Sequence, residues 1–182
     1  MKQITLLFLL LVESAIAQNS LFNQVEAKNI GPTIMSGRVV DLAINPKNPT
    51  EFYVAYATGG LWYTNNNGTS FSPVMDSAKT VNCGSVTVDW NSGTIWVGTG
   101  EVNASRSSYA GVGVLKSSDK GKTWENLGLK DSHHISRIWV NPSNLNEIVV
   151  ASVGHLYTTN KERGIYKSTD GGKSWKQTLF VA

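Results

Sequence analysis

Residues 117–124 read SSDKGKTW and residues 168–175 read STDGGKSW, so both follow the pattern S-x-D-x-G-x-[ST]-W. Residues 64–71, TNNNGTSF, form a weaker copy with Asn66 in place of the Asp and Phe71 in place of the Trp. The copies begin at 64, 117 and 168, which gives intervals of 117 − 64 = 53 and 168 − 117 = 51 residues. A period of about 50 residues built from short strands is typical of the blades of a β-propeller.

Each copy is predicted to form the turn of a β-hairpin, because a short apolar run precedes it and a second run follows it. The Asp side chain can accept hydrogen bonds from backbone N–H groups of its own turn, and Gly can adopt a positive φ there. A calcium loop would need several carboxylates at alternating positions, so a metal role is disfavoured. The residues predicted to build these turns are Asn66, Gly68, Asp119, Gly121, Trp124, Asp170, Gly172 and Trp175.

A second repeat supports the first. Residues 44–52 (INPKNPTEF) and 140–148 (VNPSNLNEI) share the pattern apolar-N-P-x-N-x-x-E-apolar. Pro ends the preceding strand, so each copy is predicted to be a corner between two strands. The fold class is therefore all-β, with propeller blades of four antiparallel strands at residues 38–76, 85–129 and 134–181. The first strand of the second blade is predicted at Val86–Trp90, and the outermost strands at Phe71–Met75, Trp124–Leu127 and Trp175–Phe180.

The N-terminus has the layout of a secretory signal peptide, with Lys2, an apolar stretch and a small-x-small motif that ends at Ala17. We therefore divide the chain into a signal peptide at 1–17 and a partial β-propeller at 18–182, with one weak strand at 20–30. This organisation predicts a secreted, periplasmic or cell-surface protein without a membrane span in the mature chain. The single Cys83 excludes an internal disulfide. A net charge of +3 without a basic cluster argues against a nucleic-acid partner.

The number of blades also carries an expectation. Propellers typically contain four to eight blades, and this sequence supplies three. We expect the ring to be completed by further blades of a longer chain, or by self-association, because three blades alone would leave sheet edges unpaired.

A candidate ligand-binding face follows from the up-and-down order of the strands. The loops that join strands two and three of each blade lie on the same face as the connections between blades. This face, with the strand ends beside it, collects Arg38, Glu101, Asn103, Arg106, His133, His134, Arg137 and His155. The alternative is that polar residues simply gather in loops. A metal site on the adjacent histidines is disfavoured, because neighbouring side chains of an extended chain point in opposite directions and no third ligand has suitable spacing.

The sequence resembles the Asp-box (BNR) repeat propellers of the secreted bacterial sortilin N-terminal/xyloglucanase-like group. The resemblance rests on the turns above and on the segments NIGP (29–32), GRV (37–39), WVGTGE (96–101), GLKDSHHI (128–135) and GHL (154–156). It implies a secreted module that binds a protein or glycan, or acts as a scaffold, as sortilin-type propellers do, with no cofactor. It also implies an alternative, a xyloglucanase-like glycoside hydrolase whose general acid would be Glu101 and whose other catalytic residues lie partly outside this chain. Xyloglucanases carry an acid two residues before Gly-Gly in the first blade, where this chain has Ala57.

Overall fold

The computed structural model describes residues 37–105 and 108–181. This part of the chain forms three four-stranded antiparallel sheets, one after another along the sequence. The only helical element among the described residues is a single 3₁₀ turn at Lys130–Ser132. The strands of the first blade are β1 (Val39–Ile44), β2 (Phe52–Tyr56), β3 (Gly60–Thr64) and β4 (Ser72–Pro73). Those of the second are β5 (Cys83–Asp89), β6 (Thr94–Thr99), β7 (Val114–Ser117) and β8 (Glu125–Asn126), and those of the third are β9 (Ile135–Val140), β10 (Ile148–Ser152), β11 (Gly164–Ser168) and β12 (Lys176–Phe180).

Each sheet is a simple meander in which sequential strands are hydrogen-bonded neighbours. The first strands of the three blades, β1, β5 and β9, adjoin one another. The predicted all-β class with four-stranded antiparallel blades is confirmed. The predicted outermost strands are too long in the first two blades, because β4 and β8 keep only two residues each in the ladder. The predicted signal peptide and the weak strand at 20–30 lie outside the described residues.

The core lies between the blades. Leu61 and Met75 of the first blade pack with Ile95 and Val97 of the second. Trp96, from the same strand β6, packs instead against the third blade. Because successive side chains of a strand point to opposite faces, β6 is buried on both sides. The middle blade is thus enclosed by its two neighbours through its inner strands.

The Asp-turns between the third and fourth strands share one hydrogen-bond pattern. Asp119 Oδ1 accepts from the Thr123 backbone N–H at 2.9 Å and from the Ser117 hydroxyl at 2.7 Å. The Ser117 hydroxyl oxygen in turn accepts from the Gly121 N–H at 2.8 Å. Asp170 has the same contacts in the third blade. These bonds hold the pKa of the Asp119 carboxyl down at about 2, chiefly through the Thr123 hydroxyl.

The weaker copy keeps this geometry with an amide. Asn66 Oδ1 accepts from the Ser70 N–H at 3.0 Å and from the Thr64 hydroxyl at 2.9 Å. Its Nδ2 group donates to the Ser70 hydroxyl at 2.9 Å, where an Asp would accept. The shape of the turn therefore depends on the acceptor oxygen, and the negative charge of an Asp is not required for it.

The tryptophans of the turns connect neighbouring blades. Trp124 Nε1 donates to the backbone oxygen of Val74 at 3.1 Å, and Trp175 Nε1 donates to that of Leu127 at 2.7 Å. In both cases the acceptor belongs to the outer edge of the preceding blade. Phe71 has no N–H to donate and instead packs edge-on against Phe52 within its own blade, with ring centroids 6.1 Å apart.

The N-P-x-N-x-x-E corners have a physical reason for their spacing. Asn45 Nδ2 donates to Glu51 at 2.7 Å, and Asn141 Nδ2 donates to Glu147 at 2.8 Å. In each corner the backbone N–H of the Asn also donates to the carbonyl of the Glu at 2.9 Å. The Asn and Glu therefore close the loop between the first and second strands.

We expect Asp119→Asn to lower the melting temperature at neutral pH. We also expect the melting temperature of this variant to fall less than that of the wild type as the pH is lowered. The folded-state pKa of Asp119 lies below the ordinary value of 3.8. Its stabilisation is therefore fully present above about pH 4 and is lost as the pH falls toward about 2. Thermal denaturation of both proteins between pH 7 and pH 3 should show their difference narrowing with acid. Asp76→Asn, at an exposed position outside the Asp-turns, is the control, and a difference that stays constant would contradict the prediction.

Candidate functional site

The loops after β2, β6 and β10 and the connection between the second and third blades form one face. Five of the predicted ligand-binding residues form a continuous chain of contacts there. We call this set the arginine–histidine cluster, and its members are Arg38, Glu101, His134, His133 and His155.

Arg38 and Glu101 form the charged end of the cluster. Arg38 Nε donates to Glu101 Oε1 at 2.8 Å, and Arg38 Nη2 donates to the same oxygen. Glu101 is fully buried, whereas the side chain of Arg38 is 50% exposed. The hydrogen bonds that Arg38 donates to Glu101 are the main reason that the pKa of Arg38 is raised above its usual value. Arg38 Nη2 also donates to the Ser105 hydroxyl at 3.2 Å, so the loop between β6 and β7 holds the guanidinium at two positions.

The second oxygen of Glu101 is a buried acceptor. Glu101 Oε2 makes no hydrogen bond within the part of the chain that the structure describes. A buried carboxylate oxygen without a hydrogen-bond donor is costly, so a donor near Oε2 would be more favourable than an apolar group. Glu101 is therefore not exposed to solvent itself, and its carboxylate positions the half-exposed guanidinium of Arg38.

His134 lies behind this pair and is buried. Desolvation is the main reason that the pKa of His134 is below its usual value, and a hydrogen bond with the Glu101 backbone opposes the shift. His134 is therefore neutral at pH 7. Its backbone oxygen accepts from the Val153 N–H at 2.9 Å, which ties the connection between blades to the third blade.

His133 and His155 form a stacked pair, with ring centroids 3.8 Å apart and planes inclined by 16°. His133 has a positive φ of 55°, and its carbonyl accepts from the Gly111 N–H at 2.6 Å. A Cβ on Gly100 would lie 1.9 Å from that carbonyl, so glycine is required there. His155 Nε2 lies 3.1 Å from the Asp131 carbonyl. Both stacked residues are partly exposed.

The adjacent histidines do not lie in an extended chain, because His133 has a positive φ of 55°. The His133 and His134 rings are 6.2 Å apart and inclined by 74°. Among residues 37–105 and 108–181, no group of three or more His, Cys, Asp or Glu side chains is arranged to hold a metal ion.

The other predicted residues are not in this chain of contacts. Asn103 is exposed, and its carbonyl accepts from the Ser108 hydroxyl at 2.9 Å. Arg106 lies outside the described residues. Arg137, on β9, pairs with Asp41 of β1 through Nη1 and Oδ1 at 3.0 Å. Asp41 Oδ2 accepts in addition from the Val86 N–H of β5 at 3.1 Å, so this pair connects the first strands of all three blades.

Sequence reasoning missed two contributors to this face and its neighbourhood. Tyr157 is 73% exposed, and its hydroxyl donates to the Ser105 carbonyl at 3.1 Å, which joins the long loops of the second and third blades. Asp41 was missed as the partner of Arg137, although a lone acid on an inner strand was an available signal. Tyr109 adds a second exposed ring, at 57%, and its carbonyl accepts from the Glu101 N–H.

Comparisons with solved structures identify the architecture. An ancestral GH74 enzyme superposes with a TM-score of 0.62 at 23% identity, over 86% of this chain and 20% of its own. YCF48 bound to D1 peptide gives 0.53 at 16% identity, over 81% and 42%. The GH74 xyloglucanase from Xanthomonas campestris gives 0.52 at 16% identity, over 75% and 21%. The chain has a β-propeller fold.

The likeness extends to the fold alone. This chain spans less than half the length of each of these structures. No protein-family model matches the sequence, and no curated protein is significantly similar to it. Within the described residues, no helix has the length and apolar character needed to cross a bilayer.

Proposed function

We propose that this protein is a secreted Asp-box β-propeller, similar to the sortilin-type propellers, that binds a protein or glycan ligand on the face of the arginine–histidine cluster. The observation that carries the proposal is the position of Arg38. Its side chain is half-exposed, and its guanidinium is bound by the buried carboxylate of Glu101. An oriented guanidinium can pair with a ligand carboxylate or stack on an aromatic or sugar ring.

The surroundings of Arg38 have the composition of a recognition surface. Tyr109 and Tyr157 are exposed on the same loops, and the stacked histidines add flat polar area. Tyr and Arg are the residue types most enriched among side chains that dominate binding energy. Because the Ser105 carbonyl and hydroxyl hold both Tyr157 and Arg38, little ordering would be needed when a ligand binds.

The rival function is a glycoside hydrolase, which is supported by the GH74 enzymes among the structures with this fold. A general acid must come within about 2.6–3.2 Å of the proton that it transfers. Glu101 is fully buried, and its Oε1 is already bound to Arg38. Glu101 is therefore better placed to position Arg38 than to protonate a substrate. The peptide complex of YCF48 supports the binding function for this fold.

The test is to screen the full-length protein against a glycan array and a displayed random-peptide library, and to assay it on xyloglucan for release of reducing ends. Arg38→Ala should abolish capture of the selected ligand, whereas Lys173→Ala, at an exposed position of the Asp-turn of the third blade, should leave it unchanged. Efficient hydrolysis of xyloglucan, or equal binding by the Arg38→Ala protein, would overturn the proposal.

A further inference from the structure

A cleft of about 220 Å³ lies between the first and second blades, on the face of the Asp-turns. The corners between the first and second strands and the turns between the third and fourth strands both lie at this end of the blades. This face is therefore opposite to the arginine–histidine cluster. The side chains that give the cleft its chemistry are those of Asn45, Glu51, Tyr63, Trp90, Asn91 and Lys120.

The acceptor groups in the cleft are already used. Glu51 Oε1 accepts from the Tyr63 hydroxyl at 2.6 Å, and Glu51 Oε2 accepts from Asn45 Nδ2 at 2.7 Å. Asn91 Oδ1 accepts from Lys47 Nζ at 2.9 Å. The donors that remain available to a ligand include Asn91 Nδ2 and the Lys120 ammonium, and a ligand that carries acceptor oxygens matches them.

Lys120 is the principal donor. Its side chain lies over Gly93, where an added Cβ would be 3.2 Å from Lys120 Cε. Among residues 37–105 and 108–181, no acidic side chain is within ion-pair distance of its ammonium group, although its charge helps to lower the pKa of Glu51 in the same cleft. A positively charged donor held at the edge of a cleft is suited to a carboxylate.

Trp90 provides an apolar wall beside these polar groups. Its ring is half-buried and packs against the ring of the buried Tyr53, which also lines the cleft, with ring centroids 5.6 Å apart. An aromatic face beside hydrogen-bond donors suits a ligand with one apolar and one polar side, such as a pyranose ring. Sites for drug-sized ligands occupy about 300–1,000 Å³, so this smaller cleft fits a single sugar ring.

The equivalent position between the second and third blades shows that this cleft is not a general product of the repeat. The space there is only about 50 Å³, and its lining contains Val88, Val140, Pro142 and Leu145 together with Thr87 and Asp89. The counterpart of Lys120 in the third turn is Gly171. The donor and the open volume are therefore specific to the groove between the first two blades.

We propose that this cleft binds a sugar residue that carries a carboxylate, with the ring on Trp90 and the carboxylate on Lys120. The site is separate from the arginine–histidine cluster and does not depend on the function proposed for that face.

The experiment is calorimetric titration of the full-length protein with sodium D-glucuronate, D-glucose and sodium acetate. We expect glucuronate to bind at least tenfold more tightly than either of the other probes. Lys120→Gly should remove this preference while leaving the fold intact, because Lys120 has a positive φ of 60° that glycine adopts more readily. Lys122→Ala removes the same charge from the same turn outside the cleft, and Arg38→Ala alters the opposite face, so both should keep wild-type binding.

Four results would overturn the proposal. Absence of glucuronate binding would show that the cleft is not a sugar site. Equal losses in Lys120→Gly and Lys122→Ala would indicate general attraction to a basic surface. Acetate binding as tight as that of glucuronate would show that the ring makes no contribution. Loss of binding in Arg38→Ala alone would assign the sugar to the other face.

Discussion

Gly121→Ala should destabilise the protein by about 2–4 kcal/mol, whereas Gly68→Ala should cost only about 1–2 kcal/mol. Both glycines occupy the same position of the Asp-turn, with φ of +89° and +80°. A side chain at either position therefore carries a similar backbone strain. The difference lies in what the new methyl group would meet.

A Cβ at Gly121 would lie 2.6 Å from the backbone oxygen of Val74 in the preceding blade. That same oxygen accepts the Trp124 indole N–H at 3.1 Å, so movement of the turn would also disturb this bond. A Cβ at Gly68 would meet nothing closer than the ring of Phe71, at 3.5 Å. The comparison thus separates the strain of the turn from the contact between blades.

The measurement is urea denaturation of both variants and the wild type, followed by circular dichroism. The expected result is a clearly lower midpoint for Gly121→Ala than for Gly68→Ala, with similar slopes. Equal midpoints would mean that the close approach of turn and preceding blade contributes nothing to stability.

The elements that could be predicted from the sequence are those formed by neighbouring residues. An Asp-turn involves residues no more than four apart, as in the Asp119–Thr123 bond, and an Asn–Glu corner closes over six. Such local contacts repeat with the sequence, so their period reveals the blades. The lengths of β4 and β8 were overestimated, since only Ser72–Pro73 and Glu125–Asn126 pair with the neighbouring strands.

The site could be predicted only as a set of residues on one face. Arg38 and Glu101 are 63 positions apart, and Asp41 and Arg137 are 96 apart. Strand order placed Arg38, Glu101 and Arg137 near the same face, but it did not distinguish a half-exposed ligand anchor from an ion pair that connects the blades. That distinction depends on register and burial, which a single sequence does not show.

Glu101→Gln separates the two candidate functions by the opposite effects that they predict. In a binding module, the substitution removes the charge that holds Arg38 while keeping the shape of the buried side chain. Ligand binding on the arginine–histidine face should then weaken by about tenfold or more, which corresponds to about 1.4 kcal/mol. In a hydrolase that uses Glu101 for proton transfer, turnover should fall by about 10²–10⁴-fold while binding is retained.

Arg38→Lys is the companion variant, because Lys keeps the positive charge but lacks the planar fork of the guanidinium. If Arg38 is the ligand anchor and Glu101 positions it, both variants should weaken binding of the ligand selected by the screen. The double variant should then be little weaker than either single one, because the two residues act through one contact. Circular dichroism would confirm that each variant is folded. Unchanged binding in Glu101→Gln together with lost turnover would contradict the binding function and establish Glu101 as a catalytic acid.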